Sequence, residues 1–349
     1  MLCRSEAKLR QEFNNGKSMN GKRAIKETPF FTDPHSVLDA TLRDAGYLND
    51  WSFSREEIFA VVGGVAKAGV EAIEVGYLSD EADRPLAARC DARLLSELRE
   101  HIRGVSNLAG MLSLSEERPA ELFASRQDVL DLVRIPCHIE QVSEALCVAE
   151  NAREYGITCS LNLMHVSMLL PRQLSNAGYQ IQRSGVADLL YLADSRGACR
   201  PEKVGAIIES VREHWKGHLG FHAHDNTGFA SVNSLLALEA GCQLIDGTVN
   251  GLGLGGGNTK ISHALAIVQQ KLPDKPYRYD SLDTLCREFS VPVPAAKSYL
   301  YYLVGAKNLA QLWVEPLLER YGDQTTRFLQ GIPRRPYTRI EQVIEEIKS

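Results

Sequence analysis

The chain has 349 residues, with 39 Lys or Arg against 44 Asp or Glu, so its formal net charge is −5 at pH 7. Hydrophobic residues make up 44% and charged residues 24%, as in globular proteins that bury a large core. The acidic balance argues against a nucleic-acid partner, and no run approaches the roughly 20 apolar residues that span a bilayer, so we expect a cytoplasmic protein.

A polar segment precedes the regular part of the chain. Residues 1–35 alternate charged residues with Asn, Gly and Ser, which predicts a flexible N-terminal extension. From Val37 to about residue 270, short apolar runs alternate with amphipathic stretches. The runs predicted to be strands are 37–41, 72–75, 106–111, 129–135, 158–163, 189–193, 219–223 and 244–249.

Helices are predicted between these strands. Ser54 and Glu57 form a capping-box pattern at the start of a helix over 54–68, and a helix over 201–214 begins with Pro201. Eight strands that alternate with helices indicate a (β/α)8 TIM barrel over 36–275, with a doubly wound sheet as the alternative. Residues 276–349 show helical patterns alone, over 282–289, 295–304, 309–321 and 339–348, and predict a small C-terminal helical appendage.

The end of the seventh strand carries two histidines. Residues two apart in a strand face the same way, so His222 and His224 direct both imidazoles to one point, as metal ligands do. Asp44, at the end of the first strand, is the candidate third ligand, because the first and last strands of a closed barrel are neighbours. The alternatives are structural histidines and an ion pair between Arg43 and Asp44 at the barrel rim.

Two further features belong to the same end of the barrel. Glu74 lies within an apolar strand and needs a partner, for which Arg43 on the adjacent strand is the candidate. The glycine-rich segment 251–257 follows the eighth strand, where it lets the backbone approach a metal or substrate closely, and Asn258 is a possible oxygen ligand. A dinucleotide-binding fingerprint follows the first strand of a βαβ unit, whereas this segment comes after seven strand–helix units, which argues against that interpretation.

Together these motifs resemble the DRE-TIM metallolyases, which include 4-hydroxy-2-oxovalerate aldolase, hydroxymethylglutaryl-CoA lyase and the isopropylmalate and homocitrate synthases. The resemblance covers about 37–270 and is closest to the aldolase branch. The matching segments are 39–47 (Asp-Ala-Thr-Leu-Arg-Asp-Ala-Gly-Tyr), 161–164 (Leu-Asn-Leu-Met), 192–195 (Leu-Ala-Asp-Ser), 222–225 (His-Ala-His-Asp) and 251–258.

The resemblance implies roles for individual residues. Asp44, His222 and His224, with Asn258 as a fourth, would bind a divalent metal, Mn²⁺ or Mg²⁺ first and Co²⁺ or Zn²⁺ next. Arg43, held by Glu74, would stabilise an enolate. The candidate substrate contacts are Arg43, Asn162, Arg134, His138 and Ser195.

One position departs from the aldolases, which place a catalytic His a few residues after the Arg-Asp pair where this chain has Tyr47. Tyr47, His165 and a metal-bound water are the candidate bases, and Tyr299 or Tyr301 is a candidate to close the site. A ligand set of two His and one carboxylate also suits non-haem iron oxygenases, although these usually have all-β folds.

The resemblance implies a metal-dependent aldolase that acts on a 2-oxo acid and an aldehyde. The alternatives are a Claisen-type synthase or lyase that uses an acyl-CoA, and an inactive relative that acts as a binding partner. A homodimer through the Tyr- and Leu-rich segment 298–304 is expected, and an aldehyde dehydrogenase is a possible partner.

Overall fold

The strands close into a barrel. The computed structural model describes residues 33–292 and 298–348. Its strands are β1 Ser36–Asp39, β2 Ala72–Tyr77, β3 Asn107–Met111, β4 Leu132–Cys137, β5 Thr158–Leu163, β6 Leu189–Asp194, β7 His218–Ala223 and β8 Leu244–Gly247. They are parallel and hydrogen-bonded in chain order, and β1 also pairs with β8. This closure confirms the TIM barrel and excludes the doubly wound sheet.

Helices surround the barrel and continue after it. They are α1 Thr41–Ala45, α2 Arg55–Lys67, α3 Leu86–Arg89, α4 Ala92–His101, α5 Pro119–Arg126, α6 Val142–Glu154, α7 Pro171–Ser184, α8 Pro201–Arg212, α9 Ala230–Glu239, α10 Ile261–Lys271, α11 Tyr279–Glu288, α12 Ser298–Lys307, α13 Val314–Tyr321, α14 Thr325–Gly331 and α15 Ile340–Lys348. Among the residues described, no helix is both long and apolar enough to cross a bilayer. Of the predicted extension over 1–35, residues 1–32 lie outside the described residues.

The predicted strands all occur, but β1 and β8 end earlier than expected. Residues 40–41 and 248–249 do not continue these strands. Thr41 begins α1, and a 3-10 turn, Val249–Gly251, follows β8. The two segments are joined by a hydrogen bond from the Val249 N–H to Thr41 Oγ1 at 2.8 Å. Both strands therefore give way to tight turns at the mouth of the barrel.

The barrel interior is layered along the strands. Leu38, Ala72 and Leu132 belong to a buried apolar cluster, and Leu189, Tyr191 and Leu244 form another. Two residues further along β2, β4 and β8, on the same face, the side chains are charged: Glu74, Arg134 and Asp246. The barrel therefore has an apolar lower layer and a charged layer directly below the mouth.

The C-terminal helices divide between two hydrophobic cores. Leu282 and Leu285 of α11 belong to the core between the barrel and its helices, whereas a separate cluster begins at Leu300. The helical appendage is thus observed, and α11 packs with the barrel although it lies beyond residue 275. The domain boundary at 275 stays a prediction.

Candidate metal centre

A short turn after β1 presents Arg43 and Asp44 at the mouth of the barrel. The Thr41 hydroxyl donates to Asp39 Oδ2 at 2.6 Å, and the Thr41 N–H donates to Asp39 Oδ1 at 3.2 Å. These bonds turn the chain out of the strand and into α1, in which Leu42 is buried in the core. Arg43 and Asp44 consequently lie on a helical turn rather than on the strand end that the sequence predicts.

Asp44, His222 and His224 meet in one buried cluster, and their candidate ligand atoms all lie within 4.8 Å of one another. The two Nε2 atoms are 3.3 Å apart, and Asp44 Oδ2 lies 3.3 Å from His222 Nε2 and 3.9 Å from His224 Nε2. Two imidazole nitrogens and a carboxylate oxygen at these separations form a donor set for a divalent cation.

Asn258 and the glycine-rich loop fit the same interpretation. Asn258 Oδ1 is buried and has no hydrogen-bond partner among the described residues, whereas its Nδ2 donates to the Leu252 carbonyl. A Cβ on Gly253 would lie 2.0 Å from Asn258 Nδ2 and 3.2 Å from Asp44 Cγ. A larger residue at this position would displace the Asn258 amide, and the unpaired Asn258 oxygen suits a cation that binds beside Asp44.

The charges around the cluster favour an ionised Asp44 carboxylate beside a neutral His224 imidazole. Burial opposes ionisation of Asp44, but the Arg43 guanidinium and the two histidines outweigh it and lower the pKa of Asp44. Burial lowers the pKa of His224 to about 4, so this imidazole is neutral at pH 7. For His222, hydrogen bonds to Asp246 and Asp44 outweigh burial and raise the pKa.

Arg43 is fixed by two carboxylates. Its Nε donates to Glu74 Oε2 at 2.9 Å, and its Nη1 lies 3.1 Å from Asp44 Oδ2. The predicted pairing of Arg43 with Glu74 is therefore observed. The Trp51 indole N–H also donates to the Arg43 carbonyl at 3.0 Å, which anchors the turn that carries the guanidinium.

Arg134 connects Glu74 to the histidine side of the cluster. Its Nη1 donates to Glu74 Oε2 at 2.8 Å and its Nη2 to Asp246 Oδ2 at 2.7 Å. The same Asp246 oxygen lies 2.8 Å from His222 Nδ1, which orients the imidazole as carboxylates do behind metal-bound histidines. Arg134 is 0% exposed and is not among the lining residues of the cavity, so the structure gives no support to the prediction that it contacts substrate. It braces the site from below.

These contacts close into a ring of buried side chains, which we call the charged ring: Arg43, Glu74, Arg134, Asp246, His222 and Asp44. The α1 turn and strands β2, β4, β7 and β8 supply its members. Every member of the ring touches two others, so the orientations of Arg43 and of the ligand candidates are set together.

A cavity of about 970 Å³ opens above the charged ring. Arg43, Asp44, His222 and His224 lie on its lining, and so do five further predicted site residues: Tyr47, Asn162, Ser195, His138 and His165. The structure thus brings most of the predicted set to one cavity.

The candidate bases differ in their surroundings. The Tyr47 hydroxyl is 2.7 Å from that of Tyr77, both tyrosines line the cavity, and burial raises the pKa of each. Arg196 Nε donates to His165 Nδ1 at 2.9 Å, and burial lowers the pKa of His165 to about 3. A neutral imidazole that accepts at Nδ1 carries its hydrogen on Nε2, so His165 presents a hydrogen-bond donor.

Tyr301 and Tyr299 do not line the cavity. Tyr301 packs against the C-terminal hydrophobic cluster, and Tyr299 is 48% exposed and stacks on Tyr302. The prediction that one of them closes the site is therefore not supported. The C-terminal region instead contributes Gln311 and Trp313, of which Gln311 Nε2 is 3.3 Å from His224 Nδ1.

Sequence reasoning missed Asp246, Tyr77, Arg196 and Gln311. Asp246 carries the same signal as Glu74, an acid inside an apolar strand. Arg196 links the barrel to the C-terminal region through the Asn308 and Tyr337 carbonyls. Gln311 follows no pattern that marks it, because its contact with His224 depends on how a distant helical segment docks.

Comparison with known proteins places this architecture among characterised families. The profile of the HMGL-like family matches residues 35–285. The 4-hydroxy-2-oxovalerate aldolase of Thermomicrobium roseum is 30% identical over 247 residues, which cover 70% of this chain and 68% of that protein. The oxaloacetate decarboxylase of Mycobacterium tuberculosis is 28% identical over 238 residues, covering 67% of this chain and 70% of that protein.

Solved structures share the fold. The N-terminal domain of a candidate aldolase from Bacteroides vulgatus superposes with a TM-score of 0.71 at 26% identity, covering 83% of this chain and 98% of that one. The HMG-CoA lyase of Brucella melitensis superposes with a TM-score of 0.62 at 18% identity, covering 73% of this chain and 98% of that one, which shows the fold alone.

Proposed function

Since the chain belongs to the HMGL-like family, we propose that it is a divalent-metal-dependent carbon–carbon lyase of the class II aldolase type. It would cleave or form a C–C bond next to a 2-oxo acid, through a pyruvate-type enolate. The observation that carries this proposal is the buried cluster of Asp44, His222 and His224 beside Arg43, on the lining of one cavity.

Asp44, His222 and His224, with Asn258 as a fourth ligand, would hold the metal. The carboxylate, imidazole and amide donors suit Mn²⁺ or Mg²⁺ first and Co²⁺ or Zn²⁺ next. When bound, the ion would supply a Lewis acid for the carboxylate and ketone oxygens of a 2-oxo acid.

Arg43 would stabilise the charge that develops as the bond breaks. In the cleavage direction, the C3–C4 bond of a 4-hydroxy-2-oxo acid breaks, its electron pair stays with the 2-oxo acid as an enolate, and the C4 hydroxyl loses its proton as the aldehyde forms. The enolate carbon then takes a proton from cavity water, which gives the free 2-oxo acid. Glu74 and Asp44 hold Arg43 through Nε and Nη1, and Arg43 lies on the lining of the cavity. A cation held in advance stabilises the enolate without reorganisation.

The Tyr47–Tyr77 pair would handle the proton. Because burial raises the pKa of both phenols, they stay protonated at neutral pH, and the 2.7 Å bond leaves one of the two hydroxyl hydrogens free to face the cavity. We assign the pair the role of orienting the substrate hydroxyl and relaying its proton to cavity water. His165, as a donor at Nε2, would bind a substrate oxygen.

Two alternatives have less support. An acyl-CoA substrate needs cations for its phosphate groups, whereas the arginines that line the cavity among the described residues, Arg43 and Arg196, are already held by partners. An inactive relative would have no need of the full set of ligand candidates with Arg43 and Glu74 intact. A cytoplasmic location, a homodimer and an aldehyde dehydrogenase partner are predictions that rest on the sequence.

The test is isotope exchange at the methyl group of pyruvate. The protein is incubated with Mg²⁺ and pyruvate in D₂O, and the methyl proton signal is followed by NMR. Exchange that is lost on chelation and in Asp44→Asn supports the proposal. Asp50→Asn is the matched control, because Asp50 is exposed, lies in the same segment and has a positive φ that Asn tolerates. Exchange that persists in Asp44→Asn would refute it.

A further inference from the structure

The cavity is much larger than a three-carbon oxo acid requires. Its volume of about 970 Å³ is at the upper end of the roughly 300–1,000 Å³ typical of pockets for drug-sized ligands. The ligand candidates and Arg43 occupy one side, because they come from the α1 turn and from β7 at the junction where the barrel closes. Space therefore remains beyond the bound oxo acid.

The opposite side of the cavity carries a group of large apolar side chains. In a closed barrel of eight strands, β4 and β5 stand across from β8 and β1. The segments that follow β3, β4 and β5, or end them, supply the side chains that we call the apolar wall: Met111, Ile139, Met164, Met168, Leu169 and Leu170. Three of the six are methionines, whose flexible thioethers adapt to apolar groups of varied shape.

The apolar wall continues to the cavity opening. Leu170 is 65% exposed and Leu312, from the C-terminal region, is 61% exposed, and both line the cavity. Single exposed leucines are common on protein surfaces. Two exposed leucines on the lining of one cavity instead extend its apolar surface to the opening. Polar side chains of the same segments also line the cavity: Ser113, His138 and Glu140 are exposed, and Gln141, His165 and Gln173 are partly buried, as are Met164, Met168 and Leu169.

We propose that the carbonyl compound joined to the 2-oxo acid carries a large apolar substituent, which the apolar wall and Leu312 cover. The inference rests on the proposed function and narrows it: the substrates are 4-hydroxy-2-oxo acids with an extended alkyl or aryl group at C4. The apolar wall would favour longer C4 substituents because it removes them from water. Each methylene buried in this way increases the binding constant about fourfold.

The experiment compares 4-hydroxy-2-oxo acids that differ only at C4, from methyl to n-pentyl and phenyl. Pyruvate release is measured with the full chain and Mg²⁺, and kcat/KM is obtained for each compound. The n-pentyl compound adds four methylenes, so even partial burial predicts kcat/KM at least about tenfold above that of the methyl compound.

Leu170→Asp and Leu312→Asp test the surface itself. Both leucines are exposed, so the variants should fold, which their thermal unfolding checks. Each is expected to lower the pentyl-to-methyl ratio of kcat/KM by at least about threefold, since a charge then faces the alkyl chain. Val105→Asp is the matched control, because Val105 is 68% exposed and precedes β3, at the other end of the barrel.

The outcomes separate the inference from the proposed function. Cleavage of the methyl compound with no gain for pentyl or phenyl leaves the proposed function standing and overturns the inference. A pentyl preference that Leu170→Asp and Leu312→Asp leave unchanged overturns the assignment to this surface. If no compound is cleaved and pyruvate undergoes no exchange, the proposed function fails and the inference fails with it.

Discussion

Replacing Arg134 by Met tests whether the charged ring supports the site from below. Arg134 is 0% exposed and donates to Glu74 at 2.8 Å and to Asp246 at 2.7 Å. Methionine fills similar space without charge, so the variant leaves two buried carboxylates that lack their shared cation. Breaking a buried ion pair from one side costs about 3–5 kcal/mol. We expect a loss of that size in the free energy of unfolding.

The assay is urea unfolding followed by circular dichroism at neutral pH. Arg93→Met is the control, because Arg93 forms an exposed pair with Glu97 at i,i+4 in α4, and such pairs contribute about 0.3–0.5 kcal/mol. If Arg134→Met is as stable as Arg93→Met, the argument for the charged ring is refuted. A higher KM with unchanged stability would instead restore Arg134 as a substrate contact.

The pH dependence gives a second check on the same variant. Burial raises the pKa of Asp246, but Arg134 and His222 outweigh it, so the pKa in the folded chain is lowered. Because the pKa of Asp246 is lower in the folded chain than the value of about 3.9 expected in the unfolded chain, its carboxylate stabilises the folded state above pH 3.9. This stabilisation is lost as the pH falls through the pKa of Asp246 in the folded chain. Wild type and Arg134→Met should therefore converge in stability as the pH falls below about 4.

Three further changes probe the cavity side of the site. Gln311→Ala removes the group next to His224 Nδ1 and should weaken metal binding by about 10-fold or more, measured by competition with a fluorescent chelator. Gly253→Ala places a Cβ against the ligand side chains and should weaken metal binding in the same titration; unchanged affinity would contradict the close approach. Tyr47→Phe removes the hydroxyl bonded to Tyr77 and should lower kcat by about 10²-fold with little change in metal affinity, whereas full activity would exclude the pair from proton transfer.

Much of the fold could be predicted from the sequence, because hydrophobic periodicity is a local signal. The β5 boundaries match the prediction, and the capping box at Ser54 begins α2 as expected. The His222–His224 spacing also predicted a shared point correctly, because the chain stays extended past the end of β7, where His224 pairs with Asn258. The turn at Thr41 was missed because hydrophobic periodicity carries no signal for its side-chain hydrogen bonds, which join Thr41 to Asp39 and to the Val249 N–H more than two hundred residues away.

The role of Arg134 shows what local patterns leave out. A basic residue near the end of a predicted strand suggests a substrate contact at the mouth of the barrel. In the structure, Arg134 lies three residues before the end of β4, on the interior face and two residues beyond Leu132. That depth places it in the charged layer rather than on the lining. Gln311 is the converse case, since docking of the C-terminal region brings it to His224, and no periodicity in the sequence encodes that contact.

The charged ring couples the two parts of the proposed chemistry. Asp44 Oδ2 faces Arg43 Nη1 on one side and the two imidazoles on the other, so one carboxylate sets the position of both the enolate-stabilising cation and the metal ligands. Glu74 then fixes Arg43 from beneath, and Asp246 fixes His222 in the same way. Arg43 and His222 are thus each held by a buried carboxylate. This bracing would keep the geometry of the site fixed while the apolar wall, in the role we propose for it, accommodates substituents of different length.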